Sequence, residues 1–150
     1  GVNMEKEFRR LLNQSAVPVA GAEEILQYLY KKNYCLCAAS NGPYDQQINR
    51  LKKADMLKYF AHCFVSEKLG ADKPGKQFFD GCMRELPGIT PEECMIIGDS
   101  LTADITGGRA YGMSTCWYVP SVEKYREVKT KSGKPAGYVV HELAELEKIL

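Results

Sequence analysis

Cys94-Met95-Ile96-Ile97-Gly98-Asp99-Ser100-Leu101-Thr102-Ala103-Asp104-Ile105 is the stretch on which the fold turns. A short apolar run stops at Gly-Asp-Ser, and a second aspartate follows five residues after the first. An apolar run halted by glycine and polar residues reads as a buried strand ending at Gly98. A helical pattern opens directly after it. Asp99 therefore falls at the carboxyl end of a strand, the edge where open α/β sheets bind ligands. Asp104 falls about one turn into the helix, close enough to share a site with Asp99. Two carboxylates there suit a hard, oxygen-seeking cation such as Mg²⁺. A helix cap beside a solvated aspartate accounts for the same residues equally well.

Outward from this stretch, strands and helices alternate. Residues 34–39 form an apolar run without clean alternation, as in a sheet covered on both faces; it ends in Ser40-Asn41-Gly42-Pro43. Further strands are predicted over 60–65, 114–119 and 138–140. Helices are predicted over 21–32, 44–54, from Pro74 through Phe78, Phe79, Cys82, Met83 and Leu86, from the Gly-Asp-Ser turn to Tyr111, and over 142–150. Residues 4–14 also space Met4, Phe8, Leu11 and Leu12 along one helical face. Residues 66–74 and 121–137 read as loops. This alternation predicts an α/β protein, a Rossmann-like parallel sheet with helices on both faces. Right-handed crossovers place all the strands' carboxyl ends on one edge. Ser40-Asn41, Lys73 and Asp99/Asp104 all fall there.

Composition narrows the function classes. The chain has 150 residues, 45% hydrophobic and 26% charged, with a net charge of +1, which suits a single soluble domain. That balance points neither to nucleic acid nor to a charged membrane surface, and no apolar run approaches the ~20 residues of a membrane span. The six cysteines lie in or beside apolar segments, as small buried hydrophobes do. No second Cys/His pair has zinc-site spacing. A reduced, cytoplasmic protein is the expectation. His62 and His141 are too far apart to suggest a metal site. Trp117 and Tyr118 read as core and rim.

The edge cluster has a chemistry. The Ser40 hydroxyl and Asn41 amide can hydrogen-bond an oxyanion, and Lys73 can place a point charge on it. Asp99 and Asp104 can hold Mg²⁺ directly or through water. These are the parts that phosphoryl transfer needs, since it depends on positioning and charge neutralisation. Taken singly, Ser40 also fits a turn residue and Lys73 a solvated loop lysine.

The ordered set resembles the haloacid dehalogenase-like (HAD) hydrolases, most of which are Mg²⁺-dependent phosphatases. Their second motif is an apolar strand ending in Ser or Thr, here Cys35-Leu36-Cys37-Ala38-Ala39-Ser40. The third is a lysine, here in Gly70-Ala71-Asp72-Lys73-Pro74. The fourth is Gly98-Asp99-Ser100-Leu101-Thr102-Ala103-Asp104, continued by Ile105-Thr106-Gly107-Gly108-Arg109-Ala110-Tyr111-Gly112-Met113. Within the family, Gly98-Asp99-Ser100-Leu101, the double glycine and Ser114-Thr115-Cys116-Trp117-Tyr118-Val119-Pro120 are most similar to the pyrimidine-nucleotidase-like phosphatases, which act on nucleoside monophosphates. The resemblance implies catalytic roles for Ser40 and Lys73, phosphate binding by Ser40, Asn41 and Lys73, Mg²⁺ at Asp99 and Asp104, and a small phosphoester as substrate.

One family motif has no counterpart. The first is Asp-x-Asp on the first, central strand, supplying the nucleophile and the general acid/base. The aspartates here are Asp45, Asp55, Asp72, Asp80, Asp99 and Asp104, and no two are separated by a single residue. The expectation is therefore a carboxyl-terminal part of such a protein, inactive alone: residues 1–16 a remnant of a helical cap, and 17–150 an incomplete core without its first strand. The strands ending at Ser40 and Gly98 should then pair directly or open to a partner, which could be an amino-terminal segment or a second copy in a homodimer. The alternative reading is a non-catalytic domain of the same fold that binds a ligand or protein. A receiver-like signalling domain fits worse, because its acidic residues would precede the hydroxyl and the lysine.

Overall fold

A strand buried on both faces must be apolar at successive positions, and β2 (Cys35–Ser40) and β4 (Cys94–Gly98) meet that requirement. The computed structural model describes residues 7–10 and 19–150. Its sheet has six strands in the order β3-β2-β1-β4-β5-β6, every pair parallel. The others are β1 (Glu7–Arg10), β3 (His62–Val65), β5 (Ser114–Tyr118) and β6 (Tyr138–Val140).

Side chains alternate between faces, so the strands on either side of β1 feed cores on both faces of the sheet. On one face Leu36, Ala38, Ile97, Cys116 and Val140 pack against α1 (Ala22–Lys31), α2 (Tyr44–Lys53) and α7 (Leu146–Ile149) through Ile25, Leu26, Leu29, Leu51 and Leu146. On the other face Cys37, Ala39, Phe64 and Ile96 meet Phe78, Phe79 and Cys82 of α4 (Lys76–Arg84). Trp117 and Val119 meet Ile105 in a third cluster, against which Tyr125 and Val128 of α6 (Val122–Ser132) pack. The predicted α/β architecture with both faces covered is what forms. None of the six cysteines, all of them among the described residues, is in a disulfide. No helix among the described residues is long and apolar enough to cross a membrane.

Four local expectations are corrected. Glu7–Arg10 is a strand, not part of a helix over 4–14. It lies between β2 and β4, with Arg10 opposite both Ala38 and Ile97. β2 and β4 therefore neither pair with each other nor stand open. Both present unpaired N–H and C=O groups to that slot, and satisfying two ladders outweighs a weak helical periodicity. The other residues of the expected cap segment lie outside those described. Secondly, the 66–74 loop begins with one helical turn, α3 (Ser66–Leu69), closed by Gly70 at φ 75°. Thirdly, Pro74 does not open α4, which starts at Lys76 behind Gly75. Lastly, the 121–137 loop is mostly α6. The Ser121 hydroxyl caps it by accepting from Lys124 N–H at 3.1 Å, and Tyr125 and Val128 give it an apolar side too narrow to stand out among so many charges.

Candidate active site

The strand order reverses direction around β1, so the carboxyl ends of β2 and β4 flank the sheet's switch point. Two interstrand spacings, about 10 Å in all, separate them. Ser40 is the last residue of β2 and is buried. Asp99 follows β4 directly and is exposed.

Lys73 reaches into this gap from the loop before α4. Its Nζ donates to Asp104 Oδ1 at 2.7 Å and to the Ala39 carbonyl at 3.0 Å. It thus touches both the end of β2 and the turn after β4, and the Phe78 ring centroid lies 6.0 Å away. Both members of the pair are buried, with side-chain exposures of 2% and 0%. Burial pushes the Lys73 ammonium below the usual lysine range and the Asp104 carboxyl above the usual carboxylate range; their mutual attraction and hydrogen bond oppose both shifts. The lysine is a sequestered cation, not a solvated loop residue.

Asn41 holds this lysine by its backbone. The amide Nδ2 donates to the Lys73 carbonyl at 3.1 Å, and Oδ1 accepts from Lys73 N–H at 2.9 Å. Both ends of the side chain are thereby used in joining the two loops. The loop after β2 is fixed in turn from α3: Gly42 N–H donates to Ser66 Oγ at 2.8 Å and Tyr44 N–H to Glu67 Oε1 at 2.8 Å. Gly42 has φ 135°, a conformation that a side chain would strain.

Asp104 sits in a wide π-type turn, Leu101–Thr106, that precedes α5 (Gly107–Tyr111). Ser100 opens the turn, its hydroxyl accepting from Ala103 N–H at 3.0 Å. Asp104 Oδ2 accepts from Ser100 N–H at 3.2 Å, so both carboxylate oxygens are engaged. The carboxylate lies against the end of β4, where a Cβ on Gly98 would overlap Oδ2; only glycine leaves that room. The double glycine works similarly, since a Cβ on Gly108 would overlap Ile96 Cγ2. The Asp99 carboxylate takes no hydrogen bond or ion pair from the described residues, and its charge is felt by both Lys73 and Asp104.

The structure thus gathers all five residues singled out in the sequence, in three different settings. Lys73 and Asp104 form a buried pair, Asn41 braces the lysine's backbone, and Ser40 and Asp99 stand at the ends of β2 and β4, on either side of β1. The donor chemistry fits a hard cation at Asp99, an exposed carboxylate without a partner among the described residues. Asp104 is committed to Lys73 and Ser100. Among the described residues no group of three or more His, Cys, Asp or Glu side chains could enclose a metal. The sequence did not reveal one contact at the site: Trp117 Nε1 donates to the Asp99 carbonyl at 3.1 Å. The indole is fully buried, as the core reading expected, and an N–H in such a place needs an acceptor.

A buried lysine–aspartate pair at the switch point of a parallel sheet, beside a strand-end hydroxyl and a strand-end aspartate, marks an α/β protein of the haloacid dehalogenase class. The sequence profile of the haloacid dehalogenase-like hydrolases matches residues 3–118, and the chain belongs to that family. It is 32% identical over 149 residues to the HAD-hydrolase YfnB of Bacillus subtilis, covering 99% of this chain and 60% of that protein. A crystal structure of YfnB bound to magnesium superposes with a TM-score of 0.80 at 33% identity, over 91% of this chain and 57% of that one. The pyrimidine 5′-nucleotidase PynA of Streptococcus pneumoniae is 36% identical over 120 residues, 80% of this chain and 51% of that protein. The glyceraldehyde 3-phosphate phosphatase of Pyrococcus furiosus is 30% identical over 132 residues, 88% of this chain and 54% of that protein. The chain therefore spans between half and three-fifths of the length of these relatives.

Proposed function

We propose that this chain carries the phosphate-holding and metal-holding half of a Mg²⁺-dependent phosphomonoester hydrolase, with a nucleoside monophosphate as the favoured substrate. The observation that carries the reading is the sequestered Lys73, fixed between the ends of β2 and β4 with Ser40 on one side and Asp99 on the other. Lys73 has donated to two partners, and its third N–H remains to meet a phosphoryl oxygen. The Ser40 hydroxyl donates to a second oxygen. Asn41 keeps the lysine in register, and Asp104 keeps it charged despite its burial.

Mg²⁺, when bound, neutralises phosphoryl charge, and Asp99 is the residue here that would hold it. The nucleophile and the proton-transferring acid are a separate matter. No Asp-x-Asp occurs in the 150 residues, so the chain by itself binds phosphate and metal without turning over substrate. The substrate class rests on the likeness to PynA. The likeness to a glyceraldehyde 3-phosphate phosphatase makes small sugar phosphates the comparison set.

The test is phosphate release with Mg²⁺ from nucleoside monophosphates and small phosphoesters. It is run on the chain alone and on the chain joined to an amino-terminal segment bearing an Asp-x-Asp strand, which must take the slot between β2 and β4 that Glu7–Arg10 fills in the chain alone. Background release from the first and Lys73-dependent release from the second are expected. A joined protein inactive on the whole panel overturns the reading. That result would favour a non-catalytic, ligand-binding or partner-binding role, which the absent Asp-x-Asp also supports.

A further inference from the structure

Trp117 is the chain's single tryptophan, and it lies directly beside Gly98 in the β4–β5 pairing. One residue later the backbone ladder ends. There the indole takes over, Nε1 donating to the Asp99 carbonyl at 3.1 Å. That carbonyl shares a rigid peptide plane with the Ser100 N–H, which donates to Asp104 Oδ2 at 3.2 Å. Asp104 Oδ1 in turn holds Lys73 Nζ at 2.7 Å. The peptide between Asp99 and Ser100 is thus pinned at its oxygen by Trp117 and at its nitrogen by Asp104. The ring also packs in one cluster with Ile105, against which Leu101 lies, so it supports the turn that carries Asp104.

We infer that Trp117 is a positioning residue of the site: its indole N–H sets the tilt of the peptide from which the Asp99 carboxylate projects, and so sets the affinity of Asp99 for a divalent cation. This rests on the reading of Asp99 as a metal-holding residue. Groups that orient a metal ligand typically contribute about 10–100-fold in affinity.

The experiment is a Mg²⁺ titration of the full chain, followed by the one tryptophan indole ¹H–¹⁵N resonance and by calorimetry, with thermal midpoints measured alongside. Wild type is compared with Trp117→Phe, which keeps an aromatic ring and removes the donor. It is also compared with Asp99→Asn and with Val128→Ala, which loosens the same cluster and leaves the N–H in place. The indole resonance should move with Mg²⁺ in wild type and in Val128→Ala and stay still in Asp99→Asn. Trp117→Phe should bind Mg²⁺ at least about tenfold more weakly than a Val128→Ala protein of comparable midpoint. Equal affinity in wild type and Trp117→Phe overturns the inference, as does an equal loss in Val128→Ala, which would make the role one of packing alone. A wild type with no Mg²⁺ response overturns the metal reading itself and the inference with it.

Discussion

Lys73 carries its charge into a place largely withdrawn from water, and Asp104 is what makes that tolerable. Removing one partner of a buried pair leaves the other uncompensated, at a cost of about 3–5 kcal/mol, whereas replacing both with apolar groups is often close to neutral. Lys73→Met should therefore lower the free energy of unfolding by that amount in urea titrations. Lys73→Met with Asp104→Leu should recover most of the loss while leaving phosphate binding abolished. A double variant no more stable than the single one would show that Lys73 contributes through its packing against Phe78. Gly98→Ala is the complementary test: the added methyl would overlap Asp104 Oδ2. The carboxylate must then leave Ser100 N–H, with an expected loss of about 1–3 kcal/mol by overpacking and weaker binding of phosphate. At this scale Ser40 and Asp99 were legible because each ends an apolar run, and Lys73 because the loop that carries it falls on the same sheet edge. The partners of Asn41 and Trp117 were not, because they lie 32 and 18 residues away in the chain, and only the finished sheet brings them together.

Elements were legible wherever one apolar face dominated. α1 buries Ala22, Ile25, Leu26 and Leu29, and its bounds fall within a residue of those expected. α6 was missed because none of its described residues is fully buried and charged residues outnumber its apolar ones; Ser121 behind Pro120 was the local signal for its start. The final turn shows capping by a carboxylate. Glu145 Oε1 accepts from the backbone N–H groups of Glu142 and His141, both at 2.8 Å. Led by the Glu142 bond, these hold its carboxyl below its ordinary value of 4.5. A depressed acid stabilises the fold above its unfolded pKa and ceases to do so as pH falls through its folded one. The end of the chain should therefore loosen only below pH 4.5, and the amide resonances of His141 and Glu142 should titrate together there. Glu145→Gln should remove that titration. A transition at those amides that survives the substitution would assign it to another group.

For the molecule as a whole, the position of greatest consequence is the middle of the sheet. β1 keeps β2 and β4 two spacings apart, which sets the gap across which Lys73 reaches between Ala39 and Asp104. The sequence pointed to such a sheet and to the edge on which the candidate site residues gather. It did not point to Glu7–Arg10 as the central strand, because a Glu-Phe-Arg-Arg segment lacks the apolar run that marks a strand buried on both faces. What places it there is the backbone: β2 and β4 both present ladders to that slot, and a strand in it satisfies both. The consequence can be tested with proline, which deletes a ladder donor and is tolerated at sheet edges but not at their centres. Arg9→Pro should lower the free energy of unfolding by about 1–3 kcal/mol through a buried acceptor left unmet, and should weaken phosphate binding as the gap between Ser40 and Asp99 relaxes. Arg9→Ala keeps the ladder and should fall well short of that loss. Tyr138→Pro, at the first residue of the edge strand β6, should also cost less than Arg9→Pro. If Arg9→Pro unfolds together with Arg9→Ala, residues 7–10 do not hold the centre of the sheet, and β2 and β4 satisfy each other or a second chain instead.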